Sequence, residues 1–159
     1  MSSDDIFVSR IEGTKLVVES ADGVEEYDAQ FVVAALLVYI ARSSGQIEPE
    51  ESAKMMELIE EHFKLPGAEA LALITRAMNE MLEKPQLADG LLELASSFSD
   101  PEKEAMATMA LKVIAADGRR EFAEMEHFKE AMEALQISSE IVHRAFDKFF
   151  VETMPELKI

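Results

Sequence analysis

Apolar positions along the chain form one pattern that occurs twice. From Phe31 to Ala41 nearly every position is apolar (FVVAALLVYIA), which predicts a helix buried on all sides. Ser43, Ser44 and Gly45 break it, and Gly45 suits the left-handed position that follows a helix end. A second helix starts near Pro49, a residue favoured at the first helical position, and keeps Met55, Leu58, Ile59 and Phe63 on one face at a period near 3.6. The pattern returns as MATMALKVIAADGRREFAEMEHFKEAMEAL, with Gly118 standing where Gly45 stood. In that alignment Ala34 meets Ala107, Leu36 meets Met109 and Ile40 meets Val113. Met55 then meets Phe128, and Ile59 meets Met132.

Each copy continues into a third helix. Residues 67–84 place Leu71, Ile74, Met78, Met81 and Leu82 on an inner side and stop before Pro85. Residues 139–152 offer Ile141, Val142, Ala145, Phe146, Phe149 and Phe150, and Pro155 closes the structured part. A shorter helix from Gln86 to Phe98, weakened by Gly90, bridges the halves. Start signals mark the boundaries: Asp28 as an N-cap, Ser99 with Glu102 as a capping box, and Ser138 or Ser139 before the last helix. The three-helix units are thus 28–44, 49–64 and 67–84 against 101–116, 121–135 and 139–152. The prediction is an all-α domain, a duplication forming a compact bundle of about seven helices. Residues 1–13 begin polar and acidic and are expected to fray. Around Asp22-Gly23 the runs TKLVVES and VEEY read as a short β-hairpin that has to lean on the helices. The chain divides into an N-terminal segment, 1–27, and a helical domain, 28–155.

Composition narrows the function. A chain of 159 residues with 48% hydrophobic and 30% charged residues is one soluble globular domain. Its net charge of −17 repels nucleic acid and anionic lipid, and favours cations or basic proteins as partners. Without cysteine there is no disulfide, thiolate nucleophile or cysteine-based zinc site. The start lacks a secretory pattern and the apolar run is too short to insert in a membrane, so a cytoplasmic location is expected.

Acidic residues cluster after each glycine. Glu48 and Glu51, like Glu121 and Glu124, are spaced i, i+3 and project from one face of a helix start, while Asp117 precedes its glycine. Carboxylates pooled from two such turns suit a hard divalent cation (calcium, magnesium or manganese), although neither turn has the EF-hand ladder. The alternative is helix-start chemistry, since acids in a first turn are favoured by the helix dipole and by capping. Glu124-x-x-His127 is half of a di-iron motif, but Lys54 occupies the duplicate position of His127. No nucleophile elbow or phosphate-binding glycine loop occurs, so no enzyme is expected. Ten methionines fall mostly on inner helix faces, as core filler or as a deformable groove for a partner helix.

The two segments ARSSGQIEPEE and IAADGRREFAEME, each between an apolar and an amphipathic helix, resemble the paired motifs of the TerB-like tellurite-resistance family. The same domain type stands at the front of a membrane-anchored DnaJ-type co-chaperone. The resemblance covers about residues 30–152 and rests on a twofold motif at fixed separation. It implies an all-helical, non-enzymatic binding or scaffold domain in tellurite or metal-stress response, working with other stress-response proteins. Carried over to this chain, the family's acidic positions are Glu48, Glu51, Asp117, Glu121 and Glu124, as ligands of a divalent cation. Two departures lower the anionic charge there: Ser44 stands where the first motif has Asp, and Arg119 and Arg120 flank the second. The second implied role is a protein-interaction module that uses acidic and methionine-rich faces without metal.

Overall fold

The computed structural model describes residues 6–12, 15–21, 23–42, 47–84, 87–116 and 122–153. Its helices are α1 (Ala29–Arg42), α2 (Pro49–Phe63), α3 (Gly67–Glu83), α4 (Leu87–Ser96), α5 (Asp100–Ala115), α6 (Phe122–Ala134) and α7 (Ser139–Thr153). The expected boundaries follow from local chemistry. Asp28 Oδ1 accepts the N–H of Phe31 at 3.1 Å and opens α1. Pro49 occupies the first turn of α2. Ser99 Oγ accepts the N–H of Glu102 at 3.4 Å, one half of the expected capping box, and Ser138 Oγ accepts from Ile141 at 3.3 Å. Both amphipathic middle helices end on a non-glycine residue with left-handed backbone: Lys64 (φ 55) after α2 and Gln136 (φ 58) after α6.

The duplication is a packing symmetry. In each half the first helix packs on the third, α1 on α3 and α5 on α7, and α1 crosses α5 between the halves. Each middle helix also lies on the first helix of the other half, α2 on α5 and α6 on α1. The paired positions Ala34 and Ala107, Ile40 and Val113, Met55 and Phe128, Ile59 and Met132 are all buried. Each large aliphatic or aromatic member of that set contributes about 1.5–3 kcal/mol on leaving water. Within the run Phe31–Ala41 only Tyr39 is exposed, at 42%.

Two faces differ from the expected ones. On α3 the buried stripe is Ala70, Ile74 and Ala77, while Leu71 and Leu82 are exposed. The small alanines let α3 approach α1 closely, which turns the larger leucines outward. On α7, Phe149 is buried and Phe150 is exposed.

Preceding the bundle is a three-stranded antiparallel sheet of order β1-β2-β3: β1 (Ile6–Glu12), β2 (Lys15–Ser20) and β3 (Gly23–Tyr27). The expected hairpin is β2–β3, with Ser20 opposite Gly23 (φ 113) across a two-residue connection. The expectation that residues 1–13 fray is corrected over 6–12, which pair with β2 through a register shift between Ile6 and Val8. Leu16, Val18 and Tyr27 turn into the core, and the sheet lies against α1 and α4. No helix among the described residues is long and apolar enough to cross a membrane.

Candidate functional site

At the start of α2, Glu48 is extended (φ −73, ψ 151) and half-buried, and Glu51 lies one turn on with no exposed surface. Glu51 Oε1 accepts the backbone N–H of Glu48 at 3.0 Å. One of the acids read as a candidate cation ligand therefore serves the helix start, in the geometry of a capping box. Asp117 and Glu121 lie outside the described residues, as do Ser44, Gly45, Gly118, Arg119 and Arg120; Glu124 is in α6, but its side chain is outside the description. Among the described residues no three His, Asp or Glu side chains are grouped to hold a metal ion.

The last turn of α1 meets the second turn of α6. The rings of Tyr39, in the last turn of α1, and His127, early in α6, meet edge to face with centroids 5.6 Å apart. Val38, Tyr39, Arg42, Met81 and His127 line a recess of about 370 Å³ there. The half-complete di-iron motif finds no partner histidine: His62 packs on Phe63 (centroids 4.7 Å apart), and His143 is exposed on α7.

A second polar cluster joins the sheet to α3, and no local spacing announces it. The Tyr27 hydroxyl lies 2.8 Å from Glu25 Oε2 and 3.0 Å from Glu80 Oε1. Lys84 Nζ is 3.0 Å from Glu25 Oε1, and Arg76 Nε is 2.9 Å from Glu80 Oε2. Arg76 also donates to the Glu26 carbonyl at 3.2 Å and stacks over the rings of Tyr27 and Phe31, 4.9 and 5.0 Å from their centroids. One hydroxyl proton serves one carboxylate, so the other contact requires a proton on a carboxyl group. Glu80 takes it: burial raises its pKa first, and the hydrogen bond to Glu25 adds to the rise. That hydrogen bond from Glu80 is the leading reason Glu25 is pushed down to about 2, with Tyr27 and Lys84 adding to it. Burial, then the neighbouring carboxylates, raise the Tyr27 phenol. Two acids sharing one proton beside two cations form a hydrogen-bonded clamp between the sheet and α3.

Seven helices built as a duplicated unit, with a small N-terminal sheet, define a mostly all-α bundle. The model of the family described as "Tellurite resistance protein TerB" matches residues 30–147, and the chain belongs to that family. The sheet lies outside the matched stretch. A crystal structure of a protein of unknown function from Porphyromonas gingivalis W83 shares the fold. Its TM-score is 0.57 at 17% identity, covering 77% of this chain and 89% of that one. No curated protein is significantly similar to the chain.

Proposed function

We propose that this chain is a non-catalytic TerB-family binding module of metal or tellurite stress that takes up a hard divalent cation where α1 ends and α2 and α6 begin. Glu48, Glu51, Asp117, Glu121 and Glu124 are its ligand candidates. The observation that supports this reading is the full burial of the Glu51 carboxylate at the start of α2. A carboxylate taken out of water is stabilised by nearby positive charge as well as by hydrogen-bond donors, and a divalent ion is one source of such charge. The test is thermal unfolding of chelator-treated protein with calcium, magnesium, manganese or zinc added back. A cation bound by the folded state raises the midpoint saturably. The shift should disappear in the double variant Glu48→Gln, Glu121→Gln; absence of a shift with every cation overturns the proposal.

A second reading has its own observation. Met125, Phe128, Met132, Ile137, Val142 and Phe146 line a groove of about 400 Å³ between α6 and α7, with Lys129, Glu133 and His143 around it. A deformable methionine- and phenylalanine-lined groove fits one apolar edge of a partner helix. In that case no cation moves the midpoint, and Met125→Lys, at a half-buried position of the groove, weakens capture of a partner helix while the fold survives.

A further inference from the structure

The pseudo-symmetry gives this molecule an internal control. Where α6 crosses α1, a cleft of about 240 Å³ opens between Val32, Ala35, Leu36 and Tyr39 of α1 and Glu130, Ala131 and Ala134 of α6, with Leu135 just past its end. The symmetric crossing, α2 on α5, also leaves a hollow, and its lining occupies the equivalent positions. Ala105, Thr108, Met109 and Lys112 replace the four α1 residues, and Leu58, Glu61 and His62 replace Ala131, Ala134 and Leu135. One hollow is lined with Thr, Lys, Glu and His; the other has Ala35, Tyr39, Ala134 and Leu135 at the same places. The fold therefore tolerates polar side chains in this hollow, and the apolar character of the α1–α6 cleft is not a requirement of packing.

Two further features separate the clefts. Met81 of α3 and Leu91 and Leu92 of the bridging helix α4, which occurs once in the chain, wall the apolar cleft. Tyr39, the one exposed position in the otherwise buried run of α1, stands at its edge. The residues of the lining that bear polar groups are Tyr39 and Glu130, and burial, then the Glu130 charge, raises the Tyr39 phenol. Glu130 is exposed and makes no ion pair with any described residue. Arg42 and His127 lie beyond the Tyr39 ring, in the neighbouring recess.

We propose that the α1–α6 cleft binds a small amphipathic cation, with an alkyl chain or single ring among Leu36, Leu91 and Leu135 and its cationic head between Glu130 and the Tyr39 ring. Size argues against a helix: ligand clefts usually run about 300–1,000 Å³, so this one admits a short chain or one ring. Charge argues for the cation. Glu130 and the Tyr39 ring, both lining residues, attract a positive head, within a chain of net charge −17. This site is separate from the acidic turns, and its failure would leave the proposal for them standing.

The test is titration of the intact protein with octylamine, octanol and octanoate, followed by methyl resonances of Met81, Leu91 and Leu92. Met109 in the polar hollow is the internal reference. Octylamine should give saturable shifts in the cleft and none at Met109, and bind about fivefold tighter than octanol, the margin expected of one exposed charge pair. Glu130→Gln, at an exposed position, should remove that margin. Ala134→Trp, also from an exposed position, should fill the cleft and abolish binding of both compounds, with circular dichroism confirming the fold. No saturable shift, equal or tighter binding of octanoate or octanol, or an unchanged margin in Glu130→Gln would each overturn the proposal.

Discussion

The hydroxyl of Tyr27 on β3 reaches a carboxyl oxygen of Glu80 on α3 at 3.0 Å, across 53 residues of sequence. With Glu25 at 2.8 Å from the same hydroxyl, it ties a sheet outside the family's matched stretch to a helix inside it. Tyr27 has no exposed surface, so Tyr27→Phe keeps the packing and removes the hydroxyl. The expected loss is about 1–2 kcal/mol in urea unfolding, because two carboxyl groups lose a shared partner. A variant as stable as the parent would show that the sheet is held by its apolar side alone.

Glu25 and Glu80 titrate in opposite senses. Glu25 is held at about 2 in the folded chain against 4.5 ordinarily, so its contribution is present above pH 4.5 and is lost as pH falls toward 2. Glu80 is raised, so its protonated form favours folding, and that contribution is lost as pH rises from 4.5 through the folded value. Unfolding across pH should accordingly show Glu25→Gln flattening the acid limb and Glu80→Gln flattening the limb above 4.5. The same limb flattened in both variants would contradict the shared proton.

Phe128 and Met55 occupy equivalent buried positions in the two halves. Phe128→Ala should cost about 3–5 kcal/mol and Met55→Ala about 2–5 kcal/mol, each as one cooperative transition because both sites belong to one core. Two separated transitions in either variant would mean that the halves unfold independently.

Lys64 caps α2 with a left-handed backbone that a Cβ disfavours. Lys64→Gly should raise stability by up to about 1 kcal/mol, partly offset by the freedom glycine gains on unfolding. A fall in the melting midpoint would show that the side chain matters more than the backbone.

Most helix ends were legible because single residues mark them: Asp28, Pro49 and Ser99 each act within one turn of where they stand. The duplication was legible because burial repeats with it. What escaped was set by partners distant in sequence. β1 (IFVSRIE) has no regular apolar–polar alternation of its own and exists by pairing with β2. The orientation of α3 depends on how closely Ala70 and Ala77 approach α1, whereas a hydrophobicity pattern gives more weight to Leu71 and Leu82. The Glu25, Tyr27, Glu80 and Lys84 clamp joins residues up to 59 positions apart, so no motif could announce it. At the acidic turns, the i, i+3 spacing of Glu48 and Glu51 was readable, and the structure adds that Glu51 is buried and bonded to the Glu48 backbone.

Because α2 rests on α5 and α6 on α1, each half supplies a wall that the other half needs. Opening the peptide chain just before α4 would yield two fragments, neither able to cover its own apolar first helix. Mixed together, they should reassemble noncovalently into the native arrangement. The domain would then work as a split reporter whose signal depends on two polypeptides meeting.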